Sequence, residues 1–184
     1  AFGASANATT WLDWTSFHET ILPTRVAEVA KLEADRLHRI RFDPAPVKSE
    51  LRVVRNERSE TVDDDPDAAL AEVLYAAAYG KTPYGHPTIG WDRDLARMTA
   101  MAAKAFYARH YRPDGVWLVL AGAIDPATTL PLLAGEYGVI PASTQPATRR
   151  SRAKSPKLGG PAQVVRIDAE ADRLLVGWRT VPAS

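Results

Sequence analysis

The sequence predicts an α+β fold, and three observations carry that expectation. Two short segments near the N-terminus are rich in Thr, Trp and Phe. Downstream, several amphipathic stripes are bounded by capping residues. One run, Val116–Ala121, is continuously apolar.

Taken in order, residues 4–11 and 13–21 read as two strands joined at Leu12-Asp13, because β-branched and aromatic side chains suit a pleated surface. Pro23 opens a helix in which Val26, Val29, Ala30, Ala34, Leu37 and Ile40 fall on one stripe. Pro44 and Pro46 punctuate the chain before a helix carrying Glu50 and Glu57. Asp63 to Asp65 followed by Pro66 is a helix start, with Ala69, Leu70, Val73, Leu74 and Ala77 as the buried stripe and Gly80 as the stop. A further helical region runs from about Asp92 to His110, broken near Thr99, which suits an N-cap. The run 116–121 reads as a central strand covered on both faces. Asp125-Pro126 then starts a helix that ends near Gly138.

From Pro141 to Pro161 the composition shifts to Pro, Ser, Thr, Gly, Arg and Lys, as in an extended linker. Arg149, Arg150, Arg152, Lys154 and Lys157 make it basic, but no aromatics are interleaved, so it reads as a solvated connector and not a nucleic-acid contact. Residues 162–168 and 173–179 read as two more strands.

Composition narrows the function classes only a little. A chain of 184 residues is long enough to bury one sizeable core. The net charge of +1 argues against a dominant nucleic-acid or membrane-surface role. With no cysteine there is no disulfide and no thiolate metal site, which suits cytoplasm and periplasm equally. No apolar run approaches the length of a membrane span, and no signal-peptide pattern is present.

The most informative stretch is Glu50 to Glu60. Glu50 and Glu57 are seven residues apart, about two helical turns, so both carboxylates project from one face. Arg52, Arg55 and Arg58 surround them. The residues alone allow three readings: a solvated acidic stripe, a surface salt-bridge lattice with these arginines, or a pair of carboxylates kept for chemistry.

The neighbours bear on that choice. The chain runs from Gly3-Ala-Ser-Ala-Asn7-Ala8-Thr9-Thr10-Trp11 through Leu32-Glu33-Ala34-Asp35-Arg36-Leu37 to the Glu50/Glu57 helix. Then come Tyr84-Gly85-His86-Pro87-Thr88-Ile89-Gly90, Phe106-Tyr107 with Tyr111 and Pro113, and Val116 to Gly122. In this order the series resembles the pitrilysin/insulinase family of zinc peptidases, which includes the mitochondrial processing peptidases. The resemblance covers roughly residues 3 to 140.

The resemblance implies an antiparallel-rich mixed sheet with helices packed on one face, a half-domain of the processing-peptidase type. It implies zinc, held in the family by an inverted His-x-x-Glu-His helix and a glutamate on a later helix. Glu57 matches that ligand glutamate, and Glu50 the glutamate that supports it from seven residues before. Catalytic zinc takes three protein ligands and keeps a fourth position for water. By the same resemblance Asn7, Ala8 and Thr9 form a sheet-edge strand that pairs with extended substrate, a peptide or small unfolded protein. The implied domains are a partial first peptidase domain at 1–140, the linker at 141–161, and the opening strands of a similar second domain at 162–184. A second homologous domain or subunit is therefore an expected partner.

One departure matters. The four histidines are His18, His38, His86 and His110, and no His-x-x-Glu-His occurs. Either an upstream part carrying the motif has been removed, which is the favoured expectation, or the motif was never present. As it stands the chain is expected to supply one zinc ligand and no general base, and not to cleave peptides alone. The runner-up is a non-catalytic subunit or structural domain of the same fold that partners an active peptidase. Among the other residues, His86 is expected in a loop, and His38 and His110 near helix C-termini, where cations suit the dipole. The five tryptophans and Tyr84 and Tyr107 are expected to pack the core, with Trp91 a candidate for lining a substrate cleft.

Overall fold

In a computed structural model, the structure describes residues 3–142 and 170–178. The chain divides into two compact units. The first comprises Ala1–Pro44 with Thr99–Thr148, and the second Ala45–Met98 with Arg149–Ser184.

The first unit opens on a β-hairpin. Strand β1 (Ser5–Thr10) pairs antiparallel with β2 (Thr15–Thr20), placing Asn7 opposite His18 and Ala8 opposite Phe17. The turn is closed by the Trp11 amide donating to the Trp14 carbonyl at 2.8 Å. Helix α1 (Val26–Arg39) follows a short turn begun by Pro23, and its Val29, Ala30 and Ala34 are buried. Arg36, His38 and Arg39 occupy its last turn, where positive charge suits the exposed carbonyl end. Helix α5 (Ala100–His110) starts at Thr99, whose hydroxyl accepts from the Ala102 amide. It is tied to α1 by the Tyr107 hydroxyl donating to the Arg36 carbonyl at 2.7 Å. Aromatic rings line up around this tie: Phe42 on Tyr107, Tyr107 stacked on Tyr111, and Tyr111 near Phe17, over which the Arg36 guanidinium sits at 4.2 Å. Helix α6 (Pro126–Tyr137), capped by Asp125, packs on α1.

The second unit is built around helix α2 (Pro44–Arg58) and helix α3 (Pro66–Tyr79), joined by one π-helical turn at Ser59–Asp63. Asp65 caps α3 by accepting from the Asp67 and Ala68 amides, and Gly80 ends it at φ +56. The next turn is tight enough to require glycine: a Cβ on Gly85 would stand 2.2 Å from the Gly80 carbonyl oxygen. The short helix α4 (Asp92–Leu95) closes the run. Residues 173 and 177 lie against α3, Arg173 bonding Asp67 at 2.9 Å and Gly177 facing the Leu74 side chain.

Among the described residues the secondary structure is helix-rich with one two-stranded antiparallel sheet. The expected hairpin, the caps at Asp65, Thr99 and Asp125, the stop at Gly80 and the break near Thr99 are all present. Three expectations need correction. Pro44 and Pro46 lie inside the first turn of α2 and not before it, since a helix leaves its first amides unbonded and proline lacks one. Residues 116–121 form no strand, and no strand occurs at 173–178, because a strand needs a hydrogen-bonded neighbour that the described residues do not supply. The expected strand at 162–168 and most of the linker at 141–161 lie outside the described residues.

The tryptophans also depart from expectation. Trp11, Trp14, Trp117 and Trp178 are exposed, and Trp91 is half-buried. Tyr84 is exposed beside Tyr79, whereas Tyr107 is half-buried. Val29, Ala30 and Ala34 are the buried apolar residues among those described, too small a set to enclose large rings.

Candidate active-site face of helix α2

Glu50 and Glu57 both lie on α2 and both are exposed. A seven-residue spacing leaves them only about 20° apart around the helix axis, so they share one face. Neither forms an ion pair among the described residues. Arg55 and Arg58 bind other acids instead, so the salt-bridge lattice does not account for the pair, whereas a solvated acidic stripe is compatible with it.

Arg55 donates to Asp92 at 2.8 Å. Arg58, side chain 7% exposed, gives its two terminal nitrogens to Glu72 at 2.7 and 2.9 Å. The same nitrogens reach the Gly90 carbonyl at 2.8 Å and Asp63 at 3.1 Å. The hydrogen bond to Glu72 holds the guanidinium above its ordinary pKa, against the opposing effect of burial. Arg58 follows Glu57 by one residue and so points about 100° away from it. Arg55 and Arg58 therefore point toward α3, the Gly90 loop and α4, while Glu50 and Glu57 are exposed.

This Arg58 network is what sequence reasoning missed. Its members are spread over Asp63, Glu72 and Gly90, and nothing in the local pattern marks one arginine of three as buried. The weak signal was the π turn's own composition, where Asp63 to Asp65 concentrates acid beside it.

Asn7, Ala8 and Thr9 lie on β1, in the first unit, whereas Glu50 and Glu57 lie in the second. Among the described residues β1 pairs with β2 alone, and the Ala8 amide donates to the Asn7 side-chain oxygen at 2.8 Å. Its residues are all exposed. The two groups of candidate residues thus sit on separate elements of separate units.

The histidines are dispersed. His18 is on β2, His38 in the last turn of α1, His110 at the end of α5 against Phe106, and His86 beside Trp91 with its Nδ1 near the Pro87 carbonyl. Trp91 lines a shallow depression with Asp92 and Arg93. No group of three or more His, Cys, Asp or Glu side chains able to hold a metal occurs among the described residues. These residues do not fit a zinc site by themselves: Glu57 is one oxygen donor where a catalytic centre needs three protein ligands.

Comparison with known proteins agrees with the order of motifs. The family model described as Insulinase (Peptidase family M16) matches residues 1–92, and that described as Peptidase M16 inactive domain matches residues 97–184. An uncharacterized zinc protease of Mycobacterium leprae is 30% identical over 98% of this chain and 40% of its own length. The mitochondrial-processing peptidase subunit beta of Blastocladiella emersonii is 24% identical over 76% of this chain and 30% of its own. Among solved structures, a protease from Helicobacter pylori superposes with a TM-score of 0.80 at 22% identity, over 84% of this chain and 37% of that one. The first half of the periplasmic protease PqqL from Escherichia coli gives 0.66 at 20% identity, over 82% and 32%. These two likenesses show the fold. The chain spans about two fifths of the length of the Mycobacterium relative. With family models covering both halves of its sequence, the chain belongs to the insulinase family of peptidases, family M16.

Proposed function

We propose that this chain is part of a zinc-dependent metalloendopeptidase that hydrolyses peptides or small unfolded proteins. In this reading Glu57 supplies one zinc ligand, Glu50 supports it from the same helix face, and the β1 edge at Asn7-Ala8-Thr9 pairs with extended substrate. Residues 1–140 belong to one peptidase domain, 141–161 connect, and 162–184 open a second. The observation that carries the reading is the pair of exposed carboxylates on α2, without ion pairs among the described residues while Arg55 and Arg58 bind other acids. A metal ligand must be free to bind, and a carboxylate already committed to an arginine is not.

The chemistry follows from the donor set. Zinc, when bound by three protein ligands, makes water nucleophilic at neutral pH. Glu57 offers an anionic oxygen, Glu50 a carboxylate able to orient it through an intervening hydrogen bond. Backbone pairing along β1 supplies affinity with little dependence on sequence, which suits unfolded substrates. The purified 184-residue chain, with one identified ligand, is expected to show no peptidase activity. Chelator-sensitive hydrolysis of an unstructured peptide by that chain would refute this expectation of inactivity.

A second reading is a non-catalytic subunit of the same fold that partners an active peptidase. It is favoured by the match of residues 97–184 to the family's inactive domain and by the single donor on α2. Coding sequence upstream of Ala1 discriminates between them: an in-frame His-x-x-Glu-His supports the enzyme, and its absence supports the subunit.

A further inference from the structure

Arg36, in the last turn of α1, meets the hairpin at two residues of one strand. Its guanidinium lies 4.2 Å over the Phe17 ring and 3.5 Å from the Glu19 carboxylate, and a second ion pair ties it to Glu33 of its own helix. Phe17 and Glu19 are two apart on β2, so their side chains project from the same face. Their register partners on β1 are Ala8 and Ala6, the two neighbours of Asn7. The main chain of Arg36 is held as well. Its carbonyl accepts from the Tyr107 hydroxyl at 2.7 Å, and Tyr107 stacks on Tyr111, which in turn meets Phe17.

A hairpin of two strands is marginal by itself in water, so its place depends on what it docks against. Strand addition needs backbone donors and acceptors held about 4.8 Å from the incoming strand. We propose that Arg36 is a positioning residue for substrate: by gripping β2 at Phe17 and Glu19, it fixes where the β1 edge at Ala6 to Ala8 stands. Directly opposed residues share a face of the sheet, and Ala6 and Ala8 carry only methyl groups there. On that face the hold on the helices therefore falls to β2. Arg36 acts through the strand and does not touch substrate. The inference rests on the proposed pairing of substrate with β1, and uses neither Glu57 nor zinc.

Peptide binding to the metal-free full-length protein tests it, since no cleavage then interferes. The probes are a fluorescein-labelled unstructured peptide and the same peptide N-methylated at alternate amides, read by fluorescence anisotropy. Arg36→Met is expected to raise the Kd of the unmethylated peptide on the order of 10-fold, because a strand left loose must be ordered when the peptide binds. Glu19→Gln, a milder cut at the same contact, should shift it in the same direction. Arg36→Lys keeps the cation and should recover part of the loss. Asp125→Ala removes the cap of α6 in the same unit and leaves the Arg36 contacts in place, so its Kd is expected to match the parent's. Parental affinity in both Arg36→Met and Glu19→Gln overturns the inference. So does an equal loss in Asp125→Ala, which would mean that binding merely follows stability. In either case a parent protein that still prefers the unmethylated peptide leaves the pairing along β1 standing. A parent that binds both peptides equally sinks that pairing, and this inference with it.

Discussion

Arg58 and Glu72 form a bidentate ion pair fourteen residues apart in sequence, at 2.7 and 2.9 Å, with the arginine side chain 7% and the glutamate 15% exposed. The pair fastens the end of α2 to α3 one residue after Glu57. Planar guanidinium and carboxylate match through two parallel bonds, which fixes direction as well as distance.

Removing one partner leaves the other charge buried without compensation. Arg58→Met is expected to destabilise the protein by about 3–5 kcal/mol, and Arg58→Lys by less, since the ammonium keeps the charge but loses the fork. The double variant Arg58→Met with Glu72→Leu should recover most of that loss, because a buried pair replaced by apolar groups is often near neutral. Urea denaturation of the three proteins measures this. A double variant as unstable as Arg58→Met would show that the Gly90 and Asp63 contacts carry the anchoring.

The hairpin and α1 share a carboxyl pair that makes stability depend on pH. Burial pushes the Glu19 carboxyl above its ordinary value of 4.5, and so do the charge and hydrogen bond of Glu33, with Arg36 and His18 acting against them. A carboxyl whose pKa is raised by folding binds its proton more tightly in the native state. Its contribution is complete below the ordinary value and is lost as pH rises through the raised one. Glu19→Gln is therefore expected to show a smaller fall in Tm between pH 4 and pH 7 than the parent protein. Parallel Tm profiles for the two proteins would contradict this.

The Thr82 hydroxyl is buried with no hydrogen-bond partner among the described residues, while the Thr82 amide is bonded to the Tyr79 carbonyl. Thr82→Val keeps the shape and removes the unpaired group, so it is expected to stabilise by about 1 kcal/mol. Gly85→Ala, in the same turn, is expected to destabilise, because its Cβ meets the Gly80 carbonyl oxygen at 2.2 Å. Thermal unfolding of both variants checks the pair. A destabilised Thr82→Val would mean that the hydroxyl has a partner after all.

What was legible in the sequence was local. Asp65, Thr99 and Asp125 cap helices by bonding amides two or three residues on, and such chemistry is visible in a few letters. The hairpin from Ser5 to Thr20 needs only its own two strands. The Val116–Ala121 run forms no strand among the described residues because pairing is not local: composition alone supplies no neighbour. The exposed Trp11, Trp14, Trp117 and Trp178 failed for the same reason, since burial requires surface from another part of the fold. At the candidate site, the shared face of Glu50 and Glu57 followed from spacing. The partners of Arg55 and Arg58 did not, because Asp92 lies 37 residues and Glu72 14 residues away.

The central claim is that Glu57 is a metal ligand, and zinc content is its most direct readout. In the full-length protein, Glu57→Gln is expected to lower both bound zinc, measured by atomic absorption after dialysis, and turnover of an unstructured peptide. Glu50→Gln should retain more zinc while still losing activity by about 10–100-fold, as expected of a residue that orients a ligand. Zinc bound at the parent stoichiometry, with undiminished turnover in the Glu57→Gln protein, would contradict the account.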